Sequence, residues 1–396
     1  MKSQRMWLLT LNVVFNLVMG FILPVNTIFI NKNLHQPLTV AGFALMIYSL
    51  LMMLGNALGG ILFDKFSRRK TLYIGYFISV ISLLIMSFHH VWPTYVILLV
   101  TLGFGMGIAY TAISGYTAFV AEQSVGDSRI IFNNMYLASN IGIAVGSTAV
   151  GIIFNNSIFL TFFIPVLFFL ICIVILFLKS DVLDSVNEDA TKSNKPYKDS
   201  NQVNPRDIIG NNRFILNMVI ICFAIFAVWM GYSQWDSNMS IYMLNKGFST
   251  RQYGFIFTVN AGSLLIIQPI VNRVISKIIK YLKVQIFVGT VIMGLSFLLL
   301  PGANNYSLFI ISMLILTVGE SLVFPTIPAL LSKMSTDKNR GTYQSFYTIF
   351  GSLGRALGPY VGSVVVTVMS FANMFFGITI IMILMAVLML LVKETD

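Results

Sequence analysis

Twelve long apolar runs follow one another along the chain. They lie at roughly 7–30, 39–62, 71–88, 94–121, 130–154, 158–178, 214–241, 252–271, 284–303, 306–331, 341–367 and 371–392. A helix that crosses a bilayer needs about 20 mostly apolar residues, and each run meets that length. Inside hydrocarbon every backbone N–H and C=O must be paired within the protein, so only helices or a closed barrel survive there. The runs are too long for barrel strands and lack the strict alternation that a barrel wall requires. The expected fold class is therefore an all-α membrane protein with twelve transmembrane helices. The first run is too long for a signal-peptide core and has no Ala-x-Ala-like cleavage site, so it is expected to remain as the first helix.

Composition removes the other classes. The 396 residues are 57% hydrophobic and 10% charged, whereas soluble domains are about 45–50% apolar and roughly 25% charged. A soluble multi-domain enzyme is thereby excluded. The two cysteines, Cys172 and Cys222, sit in apolar runs, which rules out a disulfide framework or a zinc ribbon. Three histidines, with His89 and His90 adjacent, cannot build a His-rich metal cage. No Walker loop, dinucleotide fingerprint or HExxH occurs. Neither cofactor nor metal is expected, and any transport must draw on a gradient.

The net charge of +11 is explained by topology. With both ends cytoplasmic, the inner segments carry Lys2, Arg5, Lys65, Arg68, Arg69, Lys70, Arg129, Lys179, the basic residues of the central linker, Arg273, Lys277, Lys280, Lys283, Lys333, Lys338, Arg340 and Lys393. The outer loops carry only Lys32, Lys246 and Arg251. This is the positive-inside asymmetry of a plasma-membrane protein. Basic inner loops beside anionic lipid account for the charge, so no nucleic-acid partner is expected.

Between the sixth and seventh runs the composition changes. Residues 180–212 are rich in Asn, Ser, Asp and Lys, a polar cytoplasmic linker. It divides the chain into a six-helix bundle at 1–179 and another at 213–396. The halves echo each other. Asp64 follows run two and Asn272 follows run eight, an offset of 208; Gly146 in run five and Gly358 in run eleven are offset by 212. Near-equal offsets point to a duplicated six-helix unit.

The stretch Gly60-x3-Asp64-Lys65-x-Ser67-Arg68-Arg69-Lys70 resembles the signature loop of the major facilitator superfamily, with Ser67 where that family usually has Gly. The resemblance implies two pseudo-symmetric six-helix bundles, with Asp64 latching the inner end of span 11 near the helix start at Gly341, where the positive dipole end would face it. Lys65 belongs to the same loop. Arg68 and Arg69 could then pair with Glu122 at the inner end of span 4. The plain alternative is a solvated basic turn. Gly354-x3-Gly358-Pro359-x2-Gly362 in span 11 is similar to the family's antiporter motif. The span 5 copy, Gly142-x3-Gly146-Ser147-x3-Gly151, has Ser147 in place of proline. Glycines four apart permit close helix approach and proline kinks a helix; plain packing and gating both remain open. Thr101, four residues before Gly105, stands where proton-coupled members often carry arginine.

A closer resemblance is to multidrug/proton antiporters of the LmrP type. It rests on Gln234-Trp235-Asp236 at the end of span 7, and on Gly319-Glu320 with Phe324-Pro325-Thr326 in span 10. It implies that Asp236 and Glu320 serve proton coupling and cation binding. The third acid of those proteins falls at Met135.

The acids reach the same place independently. Of 14 acidic residues, all but Asp236 and Glu320 fall in cytoplasmic segments or at cytoplasmic helix ends. The one base deep in a span is Arg355, about fourteen residues into span 11, or roughly 20 Å from its inner end. An ionisable group at that depth costs about 2.5–3.5 kcal/mol or more and faces the bundle interior or water. A carboxyl there, reached by water from either side in turn, can exchange a proton or hold a cation. Glu320 could alternatively form a structural ion pair with Arg355. Asp236 could be a water-exposed cap at the outer end, and Arg355 could bind an anionic substrate.

Further candidates for substrate binding are Asn12 and Asn16, four apart and hence on one helix face, and the aromatic residues Tyr116, Trp229, Tyr232, Trp235 and Tyr347. Aromatic faces attract organic cations by roughly 0.5–2 kcal/mol each. The expected activity is proton-coupled export of hydrophobic, often cationic small molecules by a monomer in contact with membrane lipids. The alternative is a dedicated proton-coupled exporter of one metabolite, metallophore or lipid.

Overall fold

The computed structural model describes residues 2–122, 128–184, 212–275, 278–334 and 340–393. Twelve helices among them are long and apolar enough to cross a membrane. Fourteen α-helical segments are numbered here: α1 (Lys2–Ile28), α2 (Leu38–Lys65), α3 (Arg68–Phe88), α4 (Thr94–Glu122), α5 (Ser128–Ile153), α6 (Ile158–Leu178), the single turn α7 (Ser180–Leu183), α8 (Asn212–Asp236), α9 (Asn238–Asn245), α10 (Thr250–Ile270), α11 (Leu282–Ser296), α12 (Tyr306–Met334), α13 (Arg340–Val368) and α14 (Phe371–Met389). No strand occurs among the described residues. Most of the linker read from the sequence, at 185–211, lies outside them.

The chain divides into two compact units. One comprises Met1–Pro196 with Gly247–Thr258, the other Tyr197–Lys246 with Val259–Asp396. Sequence composition alone cuts the chain at its polar linker; the contacts also place 247–258 with the first unit.

Lipid, not water, is the surroundings for the apolar faces. On α14, Phe375, Met382 and Met389 are buried, while Ile380, Leu384 and Val387 are exposed. Between helices the hydrophobic effect no longer drives association, so close packing of small residues takes its place. In the first unit the Gly142–Gly146 stripe of α5 meets α1. A Cβ on Gly142 would sit 2.6 Å from the Val13 carbonyl oxygen, and one on Gly146 would strike that of Leu17. Ser147, the residue in place of proline, donates to the Gly20 carbonyl at 3.2 Å.

Two spans differ from the sequence reading. The run at 214–241 is not one helix: α8 ends at Asp236, and Ser237 (φ −133°, ψ −91°) separates it from α9. Ser237 Oγ donates to the Ser233 carbonyl at 2.7 Å and Ser240 Oγ to the Ser237 carbonyl at 2.6 Å. Such back-bonding offers backbone carbonyls an alternative to the helix ladder and bends helices. The run at 284–303 leaves the α-helix earlier, through a 3₁₀ turn at Phe297–Leu299 before Pro301 and Gly302.

Candidate functional site

The site lies in the second unit, where α13 runs against α8. Glycine makes that approach possible. A Cβ on Gly354 would strike the Phe226 carbonyl oxygen, and one on Gly358 would strike Ser233 Oγ and lie 2.7 Å from the Met230 carbonyl. The Gln234 amide donates to the Gly358 carbonyl at 2.8 Å, and the Asn238 amide to that of Pro359 at 3.1 Å. These bonds tie the helix break at Ser237 to the antiporter-like stretch of α13.

Arg355 is held within that seam. Its Nη2 donates to Asp236 Oδ2 at 3.3 Å. The acid is buried; the arginine side chain retains 36% exposure. The guanidinium carbon lies 5.1 Å above the Trp229 ring. Trp229 stacks on Phe324 of α12 (4.8 Å, 29°) and meets Tyr232 edge-on at 5.5 Å, with Tyr232 and Phe324 6.0 Å apart. Trp229, Tyr232 and Asp236 follow i, i+3, i+7, one face of α8. A guanidinium at this depth needs an opposite charge or a π face, and this one has both.

Glu320 of α12 is buried, with 4% exposure. The Asn260 amide of α10 donates to Glu320 Oε2 at 2.8 Å and to Thr317 Oγ1 at 2.9 Å. Thr317 passes its own hydrogen to the Met313 carbonyl. Phe324, one helical turn after Glu320 on α12, stacks on Trp229 and so joins the two parts of the site. Of the two buried acids, Asp236 holds the guanidinium and Glu320 is served by Asn260.

The structure separates the sequence candidates. Glu320, Asp236, Arg355, Trp229 and Tyr232 come together. The alternative ion pair between Glu320 and Arg355 is not formed: Arg355 turns to Asp236, and Asn260 serves Glu320. Asp236 is not a water-exposed cap either, because it is buried. Trp235 is fully buried and presents no open wall. Tyr347 is half-buried two turns before Arg355 on α13.

Asn12 and Asn16 lie in the first unit and bind protein. Asn12 donates to the Met135 carbonyl (2.8 Å) and to Ser139 Oγ (2.9 Å), and Asn16 to the Asn12 carbonyl (2.8 Å) and to Ser139 Oγ (3.1 Å). Both amides thereby tie α1 to α5. Tyr116 donates to Asp184 at 2.7 Å beyond the single turn α7 and packs edge-on against Phe63. Arg68 stacks on Phe119, its guanidinium carbon 3.7 Å from the ring. Asp64, Lys65 and Arg69 are exposed at the α2–α3 turn. The Glu122 side chain lies outside the described residues.

Sequence reasoning left Thr317 unnamed and gave Asn260 and Phe324 no role beside Glu320 and Trp229. Thr317 lies three residues before Glu320 and so on its face, a signal open to reading. Asn260 and Phe324 reach the site from other helices, and only the packing shows it.

A family model described as Major Facilitator Superfamily matches residues 8–286 and 239–396. The chain belongs to the major facilitator superfamily. It is 32% identical over 347 residues to the uncharacterized MFS-type transporter YttB of Bacillus subtilis (strain 168), a match covering 88% of this chain and 84% of the relative. To the uncharacterized MFS-type transporter YqjV of the same organism it is 24% identical over 366 residues, covering 90% and 85%. Among solved structures, a POT family transporter in complex with 5-aminolevulinic acid superposes with a TM-score of 0.82 at 14% identity, covering 98% of this chain and 95% of that one. The POT family transporter PepTSo gives 0.78 at 16% identity, covering 98% and 97%. At such identity the likeness concerns the fold, which is the twelve-helix major facilitator fold. This superfamily member is a multi-pass membrane transporter of small molecules rather than an enzyme.

Proposed function

We propose that this transporter exports hydrophobic, often cationic compounds in exchange for protons by alternating access, as its resemblance to LmrP-type antiporters implies. The observation that carries the reading is the charge count of the buried cluster. Asp236 and Glu320 carry formally two negative charges against the single positive charge of Arg355. A buried excess charge is costly, so the cluster favours one further positive charge, a proton or a cationic cargo. A site that accepts either, but not both, exchanges one for the other.

Asp236 and Glu320 are the coupling acids in this reading, with Asn260 orienting Glu320. Glu320, Arg355, Trp229 and Tyr232 form the substrate-contacting set. Asp64, Lys65, Arg68, Arg69 and Glu122 govern the cytoplasmic gate, and Gly354, Gly358 and Pro359 let α13 move against α8. The protein works as a monomer in the cell membrane, among lipids, with both termini cytoplasmic.

The test is proton movement in proteoliposomes driven by a quaternary-ammonium dye. The wild type should couple dye and proton flux, and Glu320→Gln and Asp236→Asn should lose the coupling. Full coupling in the doubly neutralised protein would sink the proposal. The alternative, a dedicated exporter of one metabolite, metallophore or lipid, draws support from Arg355, since a half-exposed guanidinium favours a cargo with a negative group. Competition among chemically unrelated dyes separates the two.

A further inference from the structure

We infer that Arg355, on its platform of Trp229, Phe324 and Tyr232, is a recognition site for an amphiphilic carboxylate. The inference rests on the alternative reading, a dedicated exporter, and names the head group that such a cargo carries. Asp236 is the internal occupant of that site.

Three observations carry it. First, the link between Arg355 and Asp236 is a single 3.3 Å contact through one nitrogen. A guanidinium offers five N–H donors in a flat fork, and carboxylates prefer to take two of them in parallel. One long contact leaves that capacity unused. Second, the exposure is lopsided, with the arginine side chain at 36% and the aspartate side chain at 12%. A guanidinium at mid-depth does not face lipid at tolerable cost, so its open side faces water, from which an anion could arrive. Third, the underside of the fork is aromatic. The Arg355 carbon stands 5.1 Å over Trp229, which stacks on Phe324, and Tyr232 closes the edge. An apolar body of ring size has a surface to lie on beside the charge.

A carboxylate arriving from water, together with a proton on one of the two buried acids that keeps the charge in balance, would take the open donors of the fork and compete with Asp236 for the rest. The aromatic rings would hold its body. A neutral ester of the same body would keep the ring contacts and lose the charge-assisted bonds.

The experiment uses the full-length protein in phosphatidylcholine nanodiscs, with empty nanodiscs subtracted. The probes are pyrenebutyrate, its methyl ester and pyrenylbutyl-trimethylammonium. Wild-type protein should bind the carboxylate at least tenfold more tightly than the ester. Arg355→Gln should bring that ratio to about one, and Arg355→Lys, which keeps the charge without the fork, should leave it in between. Asp236→Asn, which removes the competing carboxylate, should raise carboxylate affinity several-fold. Because the ratio compares two ligands on one protein, a general loss of pocket shape does not mimic the result. A wild-type ratio near one, or a ratio that survives Arg355→Gln, overturns the inference. Proton movement driven by the ammonium probe reads the cation-for-proton proposal separately. If that movement survives Glu320→Gln, proton coupling by this acid fails and the carboxylate ratio stands on its own. A ratio of one with intact coupling overturns the present inference alone.

Discussion

Arg355 of α13 donates to Asp236 at the end of α8, 3.3 Å away, although Glu320 on the neighbouring α12 is far nearer in sequence. The choice follows from which helix α13 packs against so closely. Gly354 and Gly358 let it meet α8 at backbone distance, and the side chain between them reaches the last residue of that helix. Glu320 is left to Asn260, and the two acids acquire different partners within one cluster.

The pairing predicts a specific non-additivity. Removing one member of an ion pair strands the other's charge away from water, which is worse than losing both. Asp236→Asn and Arg355→Gln should each lower the unfolding temperature in detergent. The double variant should be more stable than the sum of the two losses implies, with a coupling energy of about 0.5–3 kcal/mol. The exposure of Arg355 places the value toward the lower end. Strict additivity would show that the two side chains do not interact in the membrane-embedded protein.

Asn260 is predicted to act through Glu320. It donates to Glu320 Oε2 and Thr317 Oγ1 with one amide, so Asn260→Ala removes a hydrogen bond to a charged acceptor, worth roughly 1.5–3 kcal/mol. Substrate-driven proton flux should fall and its pH profile should move, while Asn260→Asp should alter the profile in a different way. An unchanged profile in both variants would reduce Asn260 to a packing residue.

The seam between α8 and α13 predicts a contrast among glycines. Gly354→Ala would drive a methyl group into the Phe226 carbonyl, and backbone cannot swing aside as a side chain can. Gly262 of α10 has nothing within 4 Å of an added Cβ. Overpacking costs typically 1–3 kcal/mol. Gly354→Ala should therefore lower the yield of folded protein and its unfolding temperature, and Gly262→Ala should leave both near wild type. Equal behaviour of the two would contradict the packing described.

Part of this arrangement was readable in the chain before any packing was known. Hydrocarbon forbids unpaired backbone, so long apolar runs leave little choice but helices, and twelve of them emerge. The rarity of ionisable groups in the runs also singled out Asp236, Glu320 and Arg355. Neither the pairing of Arg355 nor the role of Phe324 was readable, because both depend on which helices become neighbours. Asn12 and Asn16 show the same limit. Their shared face is correctly legible, but whether that face meets substrate or the Met135 carbonyl is decided by α5. The break at Ser237 escaped because no glycine or proline marks it; serine and amide side chains redirect the backbone instead.

Tyr116 predicts a local effect away from the candidate site. Its hydroxyl donates to Asp184 at 2.7 Å, and the Gln4 amide donates to the adjoining Leu183 carbonyl at 2.9 Å. Together they fasten the turn after α6 to α1 and α4. Tyr116→Phe keeps the ring contact with Phe63 and removes only the hydroxyl. It should cost about 1 kcal/mol, seen as a small drop in unfolding temperature, and it should leave carboxylate and ammonium binding at Arg355 and Glu320 unaltered. A loss of substrate binding would instead return Tyr116 to the substrate-contacting set.

The charge asymmetry of the loops predicts the orientation, and cysteine labelling can read it directly. Cys172 and Cys222 are both free and buried, so the native background should react slowly with a membrane-impermeant maleimide. Lys280, just before α11, and Asn305, just before α12, are both exposed. With basic loops held inside, Asn305→Cys should label in intact cells, and Lys280→Cys should label only after the membrane is opened. The opposite pattern would place the termini outside and would reverse the direction in which the proposed exchange moves its cargo.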